Sequence, residues 1–203
     1  FPERRDARQG EPLVDGGFYT QEDIKESVTY ASNRQIEVIP EIAMPGHSNA
    51  ALAAYPLLAC PVIDKYIGVV PGLGADHTRF AYCAGNEDVF TFLQHVIDEV
   101  VELFPSRFIH LGGDAIHNTH WEECPLCQER MKKEDFDDEN DLLGYFMRRI
   151  DSYVRSKGRK VMGWGEIMEA NLSKGAVVFD WHGYGHGATK AGKHGHDFVV
   201  VPT

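Results

Sequence analysis

Apolar residues recur at helical spacing in three stretches of the chain, and between those stretches lie short unbroken apolar runs. In the first stretch Ile24, Val28 and Ala31 fall at i, i+4 and i+7 behind Thr20 and Asp23, a pair whose spacing predicts a capping box. The second is the longest. Val89, Phe92, Leu93, Val96, Ile97, Val100 and Val101 keep one face after Asn86, a cap residue, and Pro105 stops the pattern. In the third, Leu142, Phe146, Ile150, Tyr153 and Val154 share a face, and Gly158 is placed to close the helix.

The apolar runs have the length of strands. Ile36 to Ile39 runs into Pro40-Glu41-Ile42, and because a proline withholds a ladder donor, the strand is expected to end near residue 40. Met44-Pro45-Gly46-His47 is then a loop at that strand's carboxyl end. Further strands are predicted from Phe108 to Leu111, Val161 to Trp164, Ala176 to Trp181 and Phe198 to Val201. Unbroken runs, rather than polar and apolar residues in alternation, are the mark of a parallel sheet covered by helices.

Two architectures accept five such strands, and the polar residues separate them. His47, Asp114, Trp164, Glu166 and Trp181 all fall at or just past the carboxyl ends of different strands, which is how a (β/α)8 barrel assembles a site. A doubly wound sheet gathers its ligand groups at one switch point and commonly carries a glycine-rich phosphate loop, which this sequence lacks. The barrel reading is preferred. With 203 residues and five strands against about 250 residues for eight strands, the expectation is an incomplete barrel forming one partial domain over residues 1–203. A start at Phe1, with no initial Met and no basic-then-apolar leader, reads as an excised or processed chain.

Charge narrows the partners. A net charge of −11, with twenty Lys and Arg scattered along the chain, argues against nucleic acid and anionic membrane surfaces, and no run is long and apolar enough to span a bilayer. A neutral ligand fits better. The four cysteines are too few for a disulfide scaffold. Cys124-Pro-Leu-Cys127 has the spacing of half a zinc site, with His117 and His120 as further candidate ligands, but short spacing alone favours two ordinary loop thiols.

The richest stretch is Phe108-Ile109-His110-Leu111-Gly112-Gly113-Asp114-Ala115, a buried strand ending in a glycine pair and then a carboxylate. It resembles the His-x-Gly-Gly-Asp-Glu signature of family-20 glycoside hydrolases, the β-N-acetylhexosaminidases, with Ala115 where that family has its general-acid glutamate. The resemblance covers most of the chain. Gly16 to Ile24 is similar to the approach to the family's third barrel strand, Val38 to His47 to that strand and its loop, and Phe104 to Asp114 to the fourth. Gly163-Trp164-Gly165-Glu166 and Asp180-Trp181-His182-Gly183 match the fifth and sixth strands more loosely. Ala43 and Gly165 replace residues that are commonly acidic, and His182 one that is often Arg. The chain therefore resembles a barrel segment covering about strands 3 to 7.

What the resemblance implies is retaining hydrolysis of a terminal N-acetylhexosamine, either GlcNAc or GalNAc, in which the sugar's own acetamide oxygen attacks C1. Asp114 would hold the acetamide N–H and stabilise the charge of the cyclic intermediate, rather than merely cap a helix. Ala115 cannot protonate the leaving oxygen, so this chain is expected to be impaired. His47 would orient the missing acid, Trp164 and Trp181 would enclose the sugar, and His110 and Glu166 would support them from behind. No cofactor and no active-site metal is implied. The ligand would be an N-acetylhexosamine-containing oligosaccharide or glycoconjugate, and the family's habit points to a secreted, periplasmic or lysosomal setting. The intact surroundings of Ala115 suggest a deliberate replacement to trap substrate, whereas Ala43, Gly165 and His182 suggest natural divergence. Two other classes compete: a non-catalytic glycan-binding relative, supported by Ala115, and a metal-dependent barrel hydrolase drawing on the ten histidines, against which no His-x-His pair stands at a strand's carboxyl end.

Overall fold

The structure, a computed structural model, describes residues 18–63, 67, 80–114, 119–170, 172–181 and 191–201. Its backbone divides into two compact units at Val38 and Ile39. The first unit contributes helix α1 (Gln21–Ser32), opened as expected by a reciprocal capping box in which Thr20 and Asp23 bond each other's backbone N–H. Ile24, Val28 and Ala31 are only half-buried.

In the second unit five strands form one parallel sheet in sequence order: β1 (Glu41–Met44), β2 (Phe108–Gly112), β3 (Lys160–Trp164), β4 (Val177–Asp180) and β5 (Asp197–Val200). Parallel neighbours need long crossovers, and helices supply the first two. Between β1 and β2 run the short α2 (Asn49–Ala54), a 3₁₀ turn (Pro56–Leu58) and the long α3 (Glu87–Leu103); between β2 and β3 run α4 (Thr119–Glu123), α5 (Pro125–Glu134) and α6 (Glu139–Ser156). A second 3₁₀ segment, Gly165–Ala170, follows β3.

The two long helices are those the spacing predicts. Asn86 accepts from the Asp88 amide at the start of α3, whose Val89, Leu93, Ile97 and Val100 are buried along with Phe90, a residue outside the predicted face. Asp138 caps α6 by accepting from Asn140 and Asp141, and Gly158, at φ +73°, turns the chain where α6 closes. Phe90 and Phe146 meet between the helices with centroids 5.1 Å apart. Arg149 of α6 grips both carboxylate oxygens of Glu87 at 2.8 and 2.9 Å and lies 3.8 Å from the Phe90 ring centroid, while Tyr153 donates to Asp98. Buried Asp151 accepts from the amide and hydroxyl of Ser173, fixing the turn that leads to β4.

One expectation fails. Residues 36–40 are not strand, and the ladder begins after the proline, at Glu41. A proline is tolerated at the first position of a strand, where its missing N–H forfeits no ladder bond, and the Pro40 carbonyl still accepts from the His110 amide at 2.9 Å. Proline here opens the strand rather than ending it, so that Glu41 is part of the sheet.

Candidate active site

The carboxyl ends of β1 and β2 are drawn together by a local irregularity. Glu41 stands opposite His110 and Met44 opposite Gly112, so three steps on β1 match two on β2, a bulge that re-aims the strand end. Glycine is needed at the crossing point: a Cβ on Gly112 would lie 3.0 Å from the Ala43 Cα. Gly112 and Gly113 then take φ of +71° and +91°, a region L side chains rarely enter, and the chain turns to present Asp114. The Gly113 amide donates to the Met44 carbonyl at 3.1 Å and ties the turn to β1. Past β1, His47 also has a left-handed backbone, with φ +52°.

Those two turns bring His47 and Asp114 face to face. The His47 Nε2 lies 3.1 Å from the Asp114 Oδ2, a contact across 67 residues, with side chains 35% and 18% exposed. Asp114 is thus engaged by a side chain distant in sequence. The neighbouring Ala115 and the sequence-predicted His182 and Gly183 lie outside the described residues, as do Gly16 and Gly17.

Both tryptophans are held by glutamates. Trp164, at the end of β3, donates its indole N–H to Glu41 Oε1 at 3.1 Å, and Trp181, just past β4 and 37% exposed, donates to Glu166 Oε2 at 3.3 Å. His110 sits behind Trp164, buried, with Trp164 and Phe179 meeting its ring edge-on at 4.9 and 5.2 Å. Its Nδ1 faces two groups, the Gly112 amide N–H at 3.1 Å and the Glu41 carboxylate at 3.4 Å. A proton on Nδ1 serves the carboxylate and its absence serves the amide, so the ring satisfies one at a time. His110 and the indole N–H of Trp164 together hold Glu41 below the usual carboxylate range despite its partial burial.

Glu41 is the residue that sequence reasoning did not assign to the site. Its signal was a lone acid inside an otherwise apolar stretch, hidden by the expectation that Pro40 ended the strand. The other predicted residues meet in three pairs: His47 with Asp114 past the β1 and β2 ends, His110 of β2 with Trp164 at the end of β3, and Glu166, just past β3, with Trp181, just past β4. The predicted metal half-site behaves differently from expectation. Cys124 and Cys127 are buried and lie beside Cys60 and Cys83, whereas His120 stacks on Phe80 and contributes nothing there; His117 lies outside the described residues.

Comparison with known proteins gives a consistent result. The model of the glycosyl hydrolase family 20 catalytic domain matches residues 3–203. A beta-hexosaminidase of Porphyromonas gingivalis is 42% identical over 194 residues, covering 96% of this chain and 24% of that protein. Among solved structures, a β-N-acetylhexosaminidase from Bacteroides fragilis superposes with a TM-score of 0.80 at 36% identity, over 96% of this chain and 38% of that one. A family-20 exo-β-N-acetylglucosaminidase from Vibrio harveyi, in complex with N-acetylglucosamine, does so with a TM-score of 0.80 at 30% identity, over 93% of this chain and 29% of its own. The chain thus spans between about a quarter and two fifths of the length of these relatives. Its five parallel strands are part of a (β/α)8 barrel, and the chain belongs to glycosyl hydrolase family 20.

Proposed function

We propose that the protein carrying this chain handles terminal, non-reducing N-acetylhexosamine residues by the family's substrate-assisted chemistry, and that the chain as written is impaired in the step that expels the leaving group. Both units are read as parts of one catalytic domain. The observation that carries the proposal is the His47–Asp114 pair, set by two left-handed turns at adjacent strand ends, with two glutamate-anchored indoles at the ends of the next two strands.

Asp114 is a carboxylate with a fixed aim, as needed to accept an acetamide N–H and to stabilise positive charge as the acetamide oxygen closes on C1. Trp164 and Trp181 offer apolar faces suited to a pyranose C–H surface and an acetamide methyl. His47 keeps Asp114 in place. Position 115 would be the proton donor to the leaving oxygen, and alanine supplies none; general acid catalysis contributes about 10²- to 10⁴-fold. The resident chemistry needs no cofactor.

Ala115 also favours a second reading, a glycan-binding protein on the same scaffold that does no hydrolysis. Turnover of an aryl N-acetylglucosaminide by the full-length protein, with and without Ala115→Glu, separates the two. Activity that rises with the substitution, or that both forms show on this activated substrate, supports a hydrolase lacking one residue; N-acetylglucosamine binding with no turnover in either form supports the binding protein. Neither binding nor turnover would refute both.

A further inference from the structure

Four cysteines from three separate segments converge at one buried point, and we infer that they form a structural zinc site. Cys60 follows the 3₁₀ turn Pro56–Leu58, Cys83 precedes α3, and Cys124 and Cys127 occupy the N-cap and first turn of α5. All four sulfurs lie within 4.8 Å of one another, and Cys60 is 1% exposed and the other three 0%. The Sγ of Cys83 is 3.7 Å from those of Cys124 and Cys127, and Cys60 is 3.9 Å from Cys127. A tetrahedral zinc with Zn–S bonds of about 2.3 Å requires sulfurs about 3.8 Å apart. A disulfide requires about 2.05 Å.

The chemistry of the donor set points the same way. Four thiolates with no oxygen or nitrogen donor select zinc among the common divalent ions, and a four-sulfur shell leaves no open position, so the ion would be structural. Binding replaces four S–H bonds by four Zn–S bonds and releases the protons to solvent, with no change of oxidation state. The resulting net negative charge would sit at the amino end of α5, whose backbone N–H groups favour it.

The backbone is arranged to bring these segments together independently of the sulfurs. The Cys83 amide donates to the Leu58 carbonyl at 2.9 Å, Ala59 bridges Tyr82, and the Trp121 indole donates to the Tyr82 carbonyl at 3.0 Å. Gly85 lies against the Leu126 backbone so closely that a Cβ would overlap it. Cys60 and Cys83 belong to the crossover that begins at His47, and Cys124 and Cys127 to the one that begins at Asp114. The ion would fasten these two crossovers to each other, and this inference stands whether or not the proposed hydrolysis is correct.

The test uses the full-length protein purified under reducing conditions without chelator. Elemental analysis should find one zinc per chain at this site, released when an organomercurial blocks the thiols and captured by a chromophoric chelator. After exchange with Co²⁺, the unmodified protein should show sulfur-to-cobalt charge transfer and the strong visible bands of a tetrahedral tetrathiolate. Cys124→Ser and Cys127→Ser should each lose the ion, while the cobalt spectrum of the unmodified protein keeps the test valid if a variant misfolds. Two disulfides by mass spectrometry, bound iron in place of zinc, or four free thiols that take up neither Zn²⁺ nor Co²⁺ would overturn the inference.

Discussion

Glu41 and Trp164, 123 residues apart, meet in a hydrogen bond in which the indole N–H donates to the carboxylate at 3.1 Å. The same carboxylate lies 3.4 Å from His110 Nδ1, so one acid steadies both an aromatic wall and the ring behind it. Glu41→Gln keeps the shape and removes the charge. In a complete catalytic domain that also carries Ala115→Glu, this change should raise KM for an N-acetylglucosaminide more than it lowers kcat, because the neutral amide oxygen would accept the Trp164 indole N–H more weakly than the carboxylate does, loosening that ring while the reacting groups remain. An effect confined to kcat would place Glu41 in the chemistry instead.

The same residue gives a pH dependence with a definite sign. Glu41 is held below its ordinary value of 4.5 by its bond with His110 and by the Trp164 indole N–H, so its ionised form favours the folded chain. That stabilisation is fully present above 4.5 and is lost as pH falls through the lower folded value. The gap in melting temperature between wild type and Glu41→Gln should therefore be widest near neutrality and close in acid, as thermal melts across that range would show.

Leaving-group dependence tests position 115. If protonation of the leaving oxygen is what alanine lacks, the deficit relative to Ala115→Glu should be about 10²- to 10⁴-fold for poor leaving groups and should shrink as the leaving-group pKa falls. Asp114→Asn should instead slow every substrate to a similar degree, since ring closure is common to all. Rates on aryl glycosides of graded acidity decide it: a deficit constant across the series would remove position 115 from the general-acid role.

Gly113→Ala is expected to damage both stability and turnover. The new methyl would sit at φ +91° and overlap the Ile167 side chain, costing at least about 2 kcal/mol in denaturant unfolding. Relief of that overlap would shift Asp114, and misplacement on the order of 1 Å costs about 10²-fold in rate.

Arg149→Lys should lower unfolding stability by about 1 kcal/mol, through loss of the two-pronged bond to Glu87 and of contact with the Phe90 face. Glu87 is more than half exposed, so the ion-pair share should fade with added salt while the ring contact persists. Denaturant titrations at low and high ionic strength would resolve the two shares.

The elements that the sequence disclosed were those whose pattern repeats. α3 and α6 each run through several turns, so their apolar stripes and caps mark them clearly, and the apolar runs of β2, β3 and β4 announce buried parallel strands. The short α2 and α4 have too few turns for any stripe to repeat, and α5 is largely polar, so all three escaped notice. The candidate site residues other than His110 were legible because each falls at or just past the carboxyl end of a strand. Glu41 was not, because its role depends on a bulge and on a partner contributed by β3. The same holds for Cys60 and Cys83: no local spacing links them to Cys124 and Cys127, and only the packing of two crossovers brings them together.

The sheet's outer strands carry a last consequence. Among the described residues β1 and β5 each pair on one side alone, and Phe198, Val199 and Val200 of β5 are 47%, 41% and 51% exposed. A free parallel edge lined with apolar side chains is a template for further strand addition. Handled as a separate polypeptide, this stretch should therefore be sticky, drawn into self-association at β5 until a neighbouring strand occupies that edge. Colloidal behaviour would then report on barrel closure, and a soluble companion fragment bearing the adjoining strands should restore monodispersity.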